Sequence, residues 1–220
     1  SHMMTCFDQC LEIEKKLFDQ LYRESHKVKE YKNETDLNIR DTSFYSKKFA
    51  RGHLSIVDAR ESKNLFLLHC TIVPNQNDPS PIFGFDIISG PKKVSGAFHD
   101  LSPTVETGMT MRFNYEADKL TWNKRRPLPD WAKEIFSDHI VAIGAVGPEE
   151  LTKFIQFGLD TLNYYLKHVG VDSDKSYIDL HNRYSMNQRL NERTPSALMA
   201  LGMTEAQAKT FVHENLFPTM

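Results

Sequence analysis

Three strand-like runs in quick succession, Leu65 to Val73, Ile82 to Ile88 and Val94 to Phe98, constrain this chain more than any other feature. Pro74 to Pro81, between the first two, is turn chemistry, so the runs read as a β-meander. Side chains alternate faces along a strand. His69 therefore shares a face with Leu65, Leu67, Thr71 and Val73, while Phe66, Leu68, Cys70 and Ile72 point the other way. In the next run Phe83, Phe85 and Ile87 take one face and leave Asp86 with Gly84 and Ile88. A carboxyl among apolar neighbours needs a partner, a proton or a task. Two readings fit: a strand-end Asp capping a loop beside a satisfied core His, or a functional pair with room for something flat over Gly84.

The flanking segments bound the fold. Residues 5 to 25 form an amphipathic helix, with Phe7, Cys10, Leu11, Leu17, Phe18, Leu21 and Tyr22 at three- and four-residue steps. His26 to Phe49 is polar with scattered aromatics and fits short edge strands or loop equally. Gly52 to Ala59 reads as a strand placing His53, Ser55 and Val57 on one face. Asp100 to Thr104 reads as a loop whose Asp100 and Ser102 bond nearby backbone. Residues 105 to 120 hint at an alternating strand, and His139 to Val146 at a buried one. A long helix starts at Gly147-Pro148 and stops at Gly170, with Leu151, Phe154, Leu162 and Leu166 on its core face. Another spans Ser176 to Leu190, and Thr204 with Gln207 makes a capping-box start for a last one ending near Phe217. The order helix, strands, helices points to α+β, an antiparallel sheet covered by helices, in one domain over residues 4–220.

Composition narrows function by exclusion. A formal net charge of −2 with 40% hydrophobic and 25% charged residues marks an ordinary globular chain, not a globally basic nucleic-acid binder. Cys6, Cys10 and Cys70 have no CxxC spacing, which argues for a reducing, cytoplasmic setting and against a zinc or iron–sulfur site. No apolar run suits a membrane span, and Ser1-His2-Met3 reads as a cloning remnant. Glycine-rich phosphate loops, nucleophile elbows and HExxH are missing from the sequence. The run Lys124-Arg125-Arg126, fixed by prolines before Trp131, suits either an acidic ligand or a solvated turn.

The phrase LHC, then PIFGFDIISGP and VSGAFHDLSPT, together with RPLPDWAKEIFS (Arg126 to Ser137) and YSMNQRLNERT (Tyr184 to Thr194), resembles the ferredoxin-dependent bilin reductases. The resemblance is narrower to the phycocyanobilin:ferredoxin oxidoreductase branch and covers the chain from about residue 50 onward. It implies a three-layer α/β/α sandwich holding biliverdin IXα between sheet and C-terminal helices. It also implies no bound flavin or metal, single electrons from reduced [2Fe–2S] ferredoxin, bilin radicals, and a monomer in the cytoplasm of a bacterial host cell.

By position, Asp86 matches the family's proton donor and His69 its partner, while Arg126 and Arg193 match residues that pair with propionates. Gln188 and Asn191 fall on a pocket-lining helix, and His53 and Ser55 on the substrate side of the first strand. A carboxyl buried there favours its protonated form and can hand a proton to an electron-rich tetrapyrrole. Phycocyanobilin-forming members read H-L-E where this chain has His53-Leu54-Ser55, and serine supplies no comparable acid. With a shortened segment before Trp131, the chain resembles a compact, phage-type (PcyX-like) variant that makes phycoerythrobilin through 15,16-dihydrobiliverdin. Alternatives are a phycocyanobilin-forming enzyme, a non-catalytic bilin carrier, or a heme-handling protein. Acidic ferredoxin would dock on a basic rim of Lys92, Lys93, Lys124 and Arg125, with Lys47, Lys48 and Arg51 next.

Overall fold

The expected meander is the middle of a longer one. The computed structural model describes residues 4–220, and residues 1–3, where the cloning remnant was expected, lie outside them. Strands β1 (Lys27–Glu30), β2 (Ile39–Tyr45), β3 (Phe49–Ala59), β4 (Leu65–Pro74), β5 (Ile82–Ser89), β6 (Val94–Ser102) and β7 (Val141–Ile143) lie side by side in chain order. Every pairing is antiparallel. The fold is α+β, a helix-covered antiparallel sheet.

Helices α1 (Cys6–Glu24), α3 (Gly108–Asp118) and α4 (Pro148–His168) cover one face, while α2 (Arg60–Lys63) is a single turn joining β3 to β4. Cys10, Leu17 and Leu21 of α1 and Leu151, Phe154 and Leu162 of α4 pack there on Leu54, Ile56, Leu68, Cys70, Phe83 and Phe85. At Gly158 of α4 a Cβ would collide with the Phe85 ring, so glycine lets helix and sheet approach closely. The other face carries Val57, Leu67 and Ile82 beneath α5 (Ile178–Arg189), α6 (Arg193–Ala200) and α7 (Glu205–Phe211). A π-helical turn, Val212–Leu216, continues α7. The near-continuous apolar runs of β4 and β5 follow from this, because both faces of those strands are covered.

Several expectations shift. The core face of α1 is Cys6, Cys10, Ile13, Leu17 and Leu21, and Tyr22 is exposed. Residues 105 to 120 hold a helix, α3, started by a reciprocal Thr107–Thr110 cap, instead of a strand. The buried strand expected from His139 to Val146 is only Val141–Ile143. Asp100 to Ser102 belong to β6, not to a loop, because Asp100 finds donors across the sheet face: Ser102 Oγ (2.9 Å), Ser137 N (2.7 Å) and Ser137 Oγ (2.5 Å). The final helix begins on the expected Thr204–Gln207 capping box. The three cysteines are free and buried, and no described helix is long and apolar enough to cross a membrane.

Candidate active site

Strand register places His69 directly opposite Asp86 on β5 and opposite Ser55 on β3. His69 Nδ1 lies 2.5 Å from Asp86 Oδ1, shorter than an ordinary hydrogen bond. The pair is asymmetric in exposure: the imidazole side chain is 5% accessible and the carboxyl 37%. Behind His69, its Nε2 sits 3.4 Å from Thr71 Oγ1, and the Phe217 ring stands edge-on at 5.4 Å. His53 contacts His69 ring to ring at 5.9 Å and reaches Asp41 Oδ2 through Nε2 at 2.9 Å. Burial alone would raise the Asp41 pKa, but the His53 ring beside it holds the carboxyl below its usual range. Burial pushes His53 down to about 4, so the ring is neutral and Nε2–H donates to the Asp41 carboxylate.

Asp86 opens on a cavity of about 630 Å³ between the sheet and the C-terminal helices. Its floor is Leu67, His69, Asp86, Ile88 and Phe98, and one wall is Gln188, Asn191 and Arg193 from the α5–α6 junction. The opposite wall comes from residues 126–136, including a 3₁₀ turn at Asp130–Glu134 that carries Trp131. Asp100 fastens that wall by accepting two bonds from Ser137, and its burial pushes the carboxyl up to about 6 against those bonds. Arg126 crosses Gly96, where a Cβ would fall 2.5 Å from Nη1, and covers the Phe98 ring at 5.4 Å. Burial and the neighbouring Arg193 charge lower the Arg126 pKa, which marks two guanidiniums converging on one cavity. Two guanidiniums and an accessible carboxyl on one cavity suit a ligand that carries anionic groups.

Family comparison decides what kind of protein this is. The family model for ferredoxin-dependent bilin reductases matches residues 7–218. The chain belongs to the ferredoxin-dependent bilin reductases. Phycocyanobilin:ferredoxin oxidoreductases of Synechococcus elongatus (strain PCC 7942) and Trichodesmium erythraeum are each 28% identical to this reductase. Those alignments cover 74% of the chain and 68% and 69% of the two relatives. Among solved structures, PcyX is similar at 25% identity and a TM-score of 0.65, covering 96% of this chain and 99% of PcyX. Tomato phytochromobilin synthase in complex with biliverdin matches at 15% identity and a TM-score of 0.69, covering 92% and 82%, a likeness of fold.

Within the reductase, six of the expected site residues surround one cavity: His69, Asp86, Arg126, Gln188, Asn191 and Arg193. Gln188 Nε2 donates to the Tyr184 hydroxyl (3.1 Å), and Asn191 Oδ1 accepts from Arg193 N (2.9 Å) in the turn that leads into α6. His53 and Ser55 do not line it. They are 1% and 0% exposed, on the same sheet face but buried beside Asp41. Asp86 is not the buried carboxyl that its apolar strand suggested, because the cavity leaves it accessible. Nor does Gly84 make flat room, since the Tyr184 hydroxyl already stands 3.7 Å from where its Cβ would be.

Lys92, Lys93, Lys124 and Arg125 are exposed at one end of the sheet. Bonds from Val94 N to Val146 O (2.8 Å) and Gly144 N to Lys124 O (3.3 Å) bring their segments together beside Arg126. Arg51 and Lys48 are not part of that rim: Arg51 bonds the Asn215 carbonyl (2.7 Å) and Lys48 pairs with Glu24 (2.9 Å). The sequence reading placed Thr71 on the face of His69 but gave it no role, and it did not single out Asp41 or Phe217. For Asp41 the only signal was the alternation Ile39, Asp41, Ser43 in a segment left unassigned, and for Phe217 there was none.

Proposed function

We infer that residues 4–220 act as one reductase domain, taking electrons from [2Fe–2S] ferredoxin and delivering them with protons to biliverdin IXα held in the large cavity. The observation that carries the reading is the His69–Asp86 contact of 2.5 Å opening on a cavity with two convergent guanidiniums. A linear tetrapyrrole with two propionates fits that charge pattern, and the tomato relative was solved with biliverdin. Asp86 serves as proton donor, oriented by His69, and Arg126 and Arg193 seat the propionates. Gln188 and Asn191 complete the wall. Lys92, Lys93, Lys124 and Arg125 form the ferredoxin dock, whose cations would steer an acidic partner.

Phycoerythrobilin, formed through 15,16-dihydrobiliverdin, is the product that the residues favour. Ser55 stands opposite His69 where a phycocyanobilin-forming relative is expected to carry Glu, and the nearby Asp41 is held as a carboxylate by His53. Neither offers a proton to a D-ring vinyl group. Anaerobic incubation of the protein with biliverdin, ferredoxin, ferredoxin reductase and NADPH, followed by chromatography, tests the reading. Loss of the biliverdin band with phycoerythrobilin eluting supports it. Phycocyanobilin would refute the product assignment, and an unchanged bilin spectrum would indicate a carrier.

A further inference from the structure

His181 on α5 is a titratable group with no place in that chemistry. It is 1% exposed, and neither ring nitrogen has a hydrogen-bond partner. One nitrogen of a neutral imidazole is a donor and the other an acceptor, and burying both unsatisfied is costly. The ring faces a second cavity, of about 20 Å³, shared with Arg51, Thr71, Tyr184, Ser185 and Met220. That volume exceeds the roughly 10–15 Å³ that one water needs, and His181, Thr71, Tyr184 and Ser185 set polar side chains in a lining that is otherwise largely apolar. The Arg51 guanidinium is already engaged by Ser43 Oγ and the Asn215 carbonyl. The Tyr184 and Ser185 hydroxyls also border this space, but among its polar groups Thr71 is the one that also reaches His69.

Thr71 is the link between the two cavities, since its Oγ1 also lies 3.4 Å from His69 Nε2. The rear cavity, Thr71, His69 and Asp86 thus line up from the outer wall at Met220 to the large cavity. Saturating double bonds takes up one proton per electron, more than one carboxyl holds, and a ligand over Asp86 shuts it off from solvent on that side. Resting on the function proposed above, we propose that a water held by His181 and Thr71 in the rear cavity resupplies Asp86 with protons through His69 while the bilin stays bound. After Asp86 gives up its proton, its carboxylate takes the Nδ1 proton of His69. His69 Nε2 takes the Thr71 hydroxyl proton, Thr71 takes one from the water, and the water recovers one from bulk. One proton moves inward and no electron moves. His181 is a positioning residue here, because it holds the water and does not touch the bilin.

Two measurements test this. A high-resolution crystal structure of the protein should show an ordered water within hydrogen-bond distance of Thr71 Oγ1 and a His181 nitrogen; a dry cavity overturns the proposal. In the ferredoxin-driven assay, Thr71→Val, nearly isosteric but without the hydroxyl, should lower multiple-turnover rate about tenfold or more and enlarge the solvent deuterium isotope effect. Biliverdin affinity should not change, and Thr71→Ser should stay within about twofold of the parent rate. Parent-like turnover and isotope effect in Thr71→Val overturn the route alone and leave the reductase reading intact. A parent that holds the water yet reduces no biliverdin overturns that reading and the route with it.

Discussion

Replacing Asp100 by Asn should remove a defined share of the pH dependence of stability, and the structure sets its sign and size. Asp100 is 2% exposed, and burial raises its pKa from 3.8 to about 6 against three hydrogen bonds from serines. A raised carboxyl means that the folded state binds the proton more tightly than the unfolded one. Its stabilising contribution is complete below about pH 4 and is lost as pH rises through about 6. The rise amounts to about 3 kcal/mol at roughly 1.4 kcal/mol per pH unit, of which about 2 kcal/mol falls between about pH 4.5 and 7.5. Burial pushes His53 and His99 down to about 4, and both act oppositely in the same window, so the parent's own profile hides the effect. The variant-minus-parent difference isolates it. Urea unfolding should show Asp100→Asn gaining about 2 kcal/mol on the parent between about pH 4.5 and 7.5, whatever its offset at either pH. A difference independent of pH, or one that moves against the variant as pH rises, would refute the claim that a strained carboxyl latches the cavity wall.

Asp86→Asn keeps the size of the donor but not its proton: biliverdin should still bind, while product formation falls by about 10²-fold or more in the anaerobic assay, and full activity would overturn the assignment. Reversing charge at Lys92 and Lys93 should slow ferredoxin-driven turnover and flatten its salt dependence with bilin titrations unchanged; if neither turnover nor salt dependence moves, the dock lies elsewhere. Ser55→Glu puts an acid beside His69 and should bring phycocyanobilin into the chromatogram, and an unaltered product pattern would remove position 55 as the determinant. Gly158→Ala drives a methyl into Phe85 and should cost about 1–3 kcal/mol by thermal or urea unfolding.

The meander was legible because β4 and β5 are apolar runs rich in β-branched and aromatic residues and bounded by turn residues, and α7 because Thr204 and Gln207 spell a standard cap. The helix α3 was not, since its cap uses Thr110 where a Glu or Gln is the usual signal, and Thr110, Arg112, Asn114 and Glu116 alternate as a strand would. Strand β2 hid for the opposite reason. Its buried residues Asp41 and Ser43 share a face and are polar because they meet His53 and Arg51, so the hydrophobic pattern that announces a strand is absent. The cavity brings β4–β6 together with residues some hundred positions later, and only the family resemblance linked those segments in advance.

Three carboxyls on one sheet face show what alternation leaves undetermined. Asp41, Asp86 and Asp100 all interrupt strands, and pattern alone singled out Asp86 as the buried one. The reverse holds: Asp41 and Asp100 are 5% and 2% exposed and are enclosed by His53 and by serine donors, whereas Asp86 keeps its accessible oxygen toward the large cavity. Enclosure commits a carboxyl to its neighbours. A proton donor must instead have one partner behind it and open space in front, and Asp86, with His69 at its back, is the acid of the three with that arrangement. In the function proposed above, a bilin covering the cavity floor would desolvate Asp86 and close its front in one event, and the proposed route through Thr71 and the rear cavity lies on the opposite side of His69.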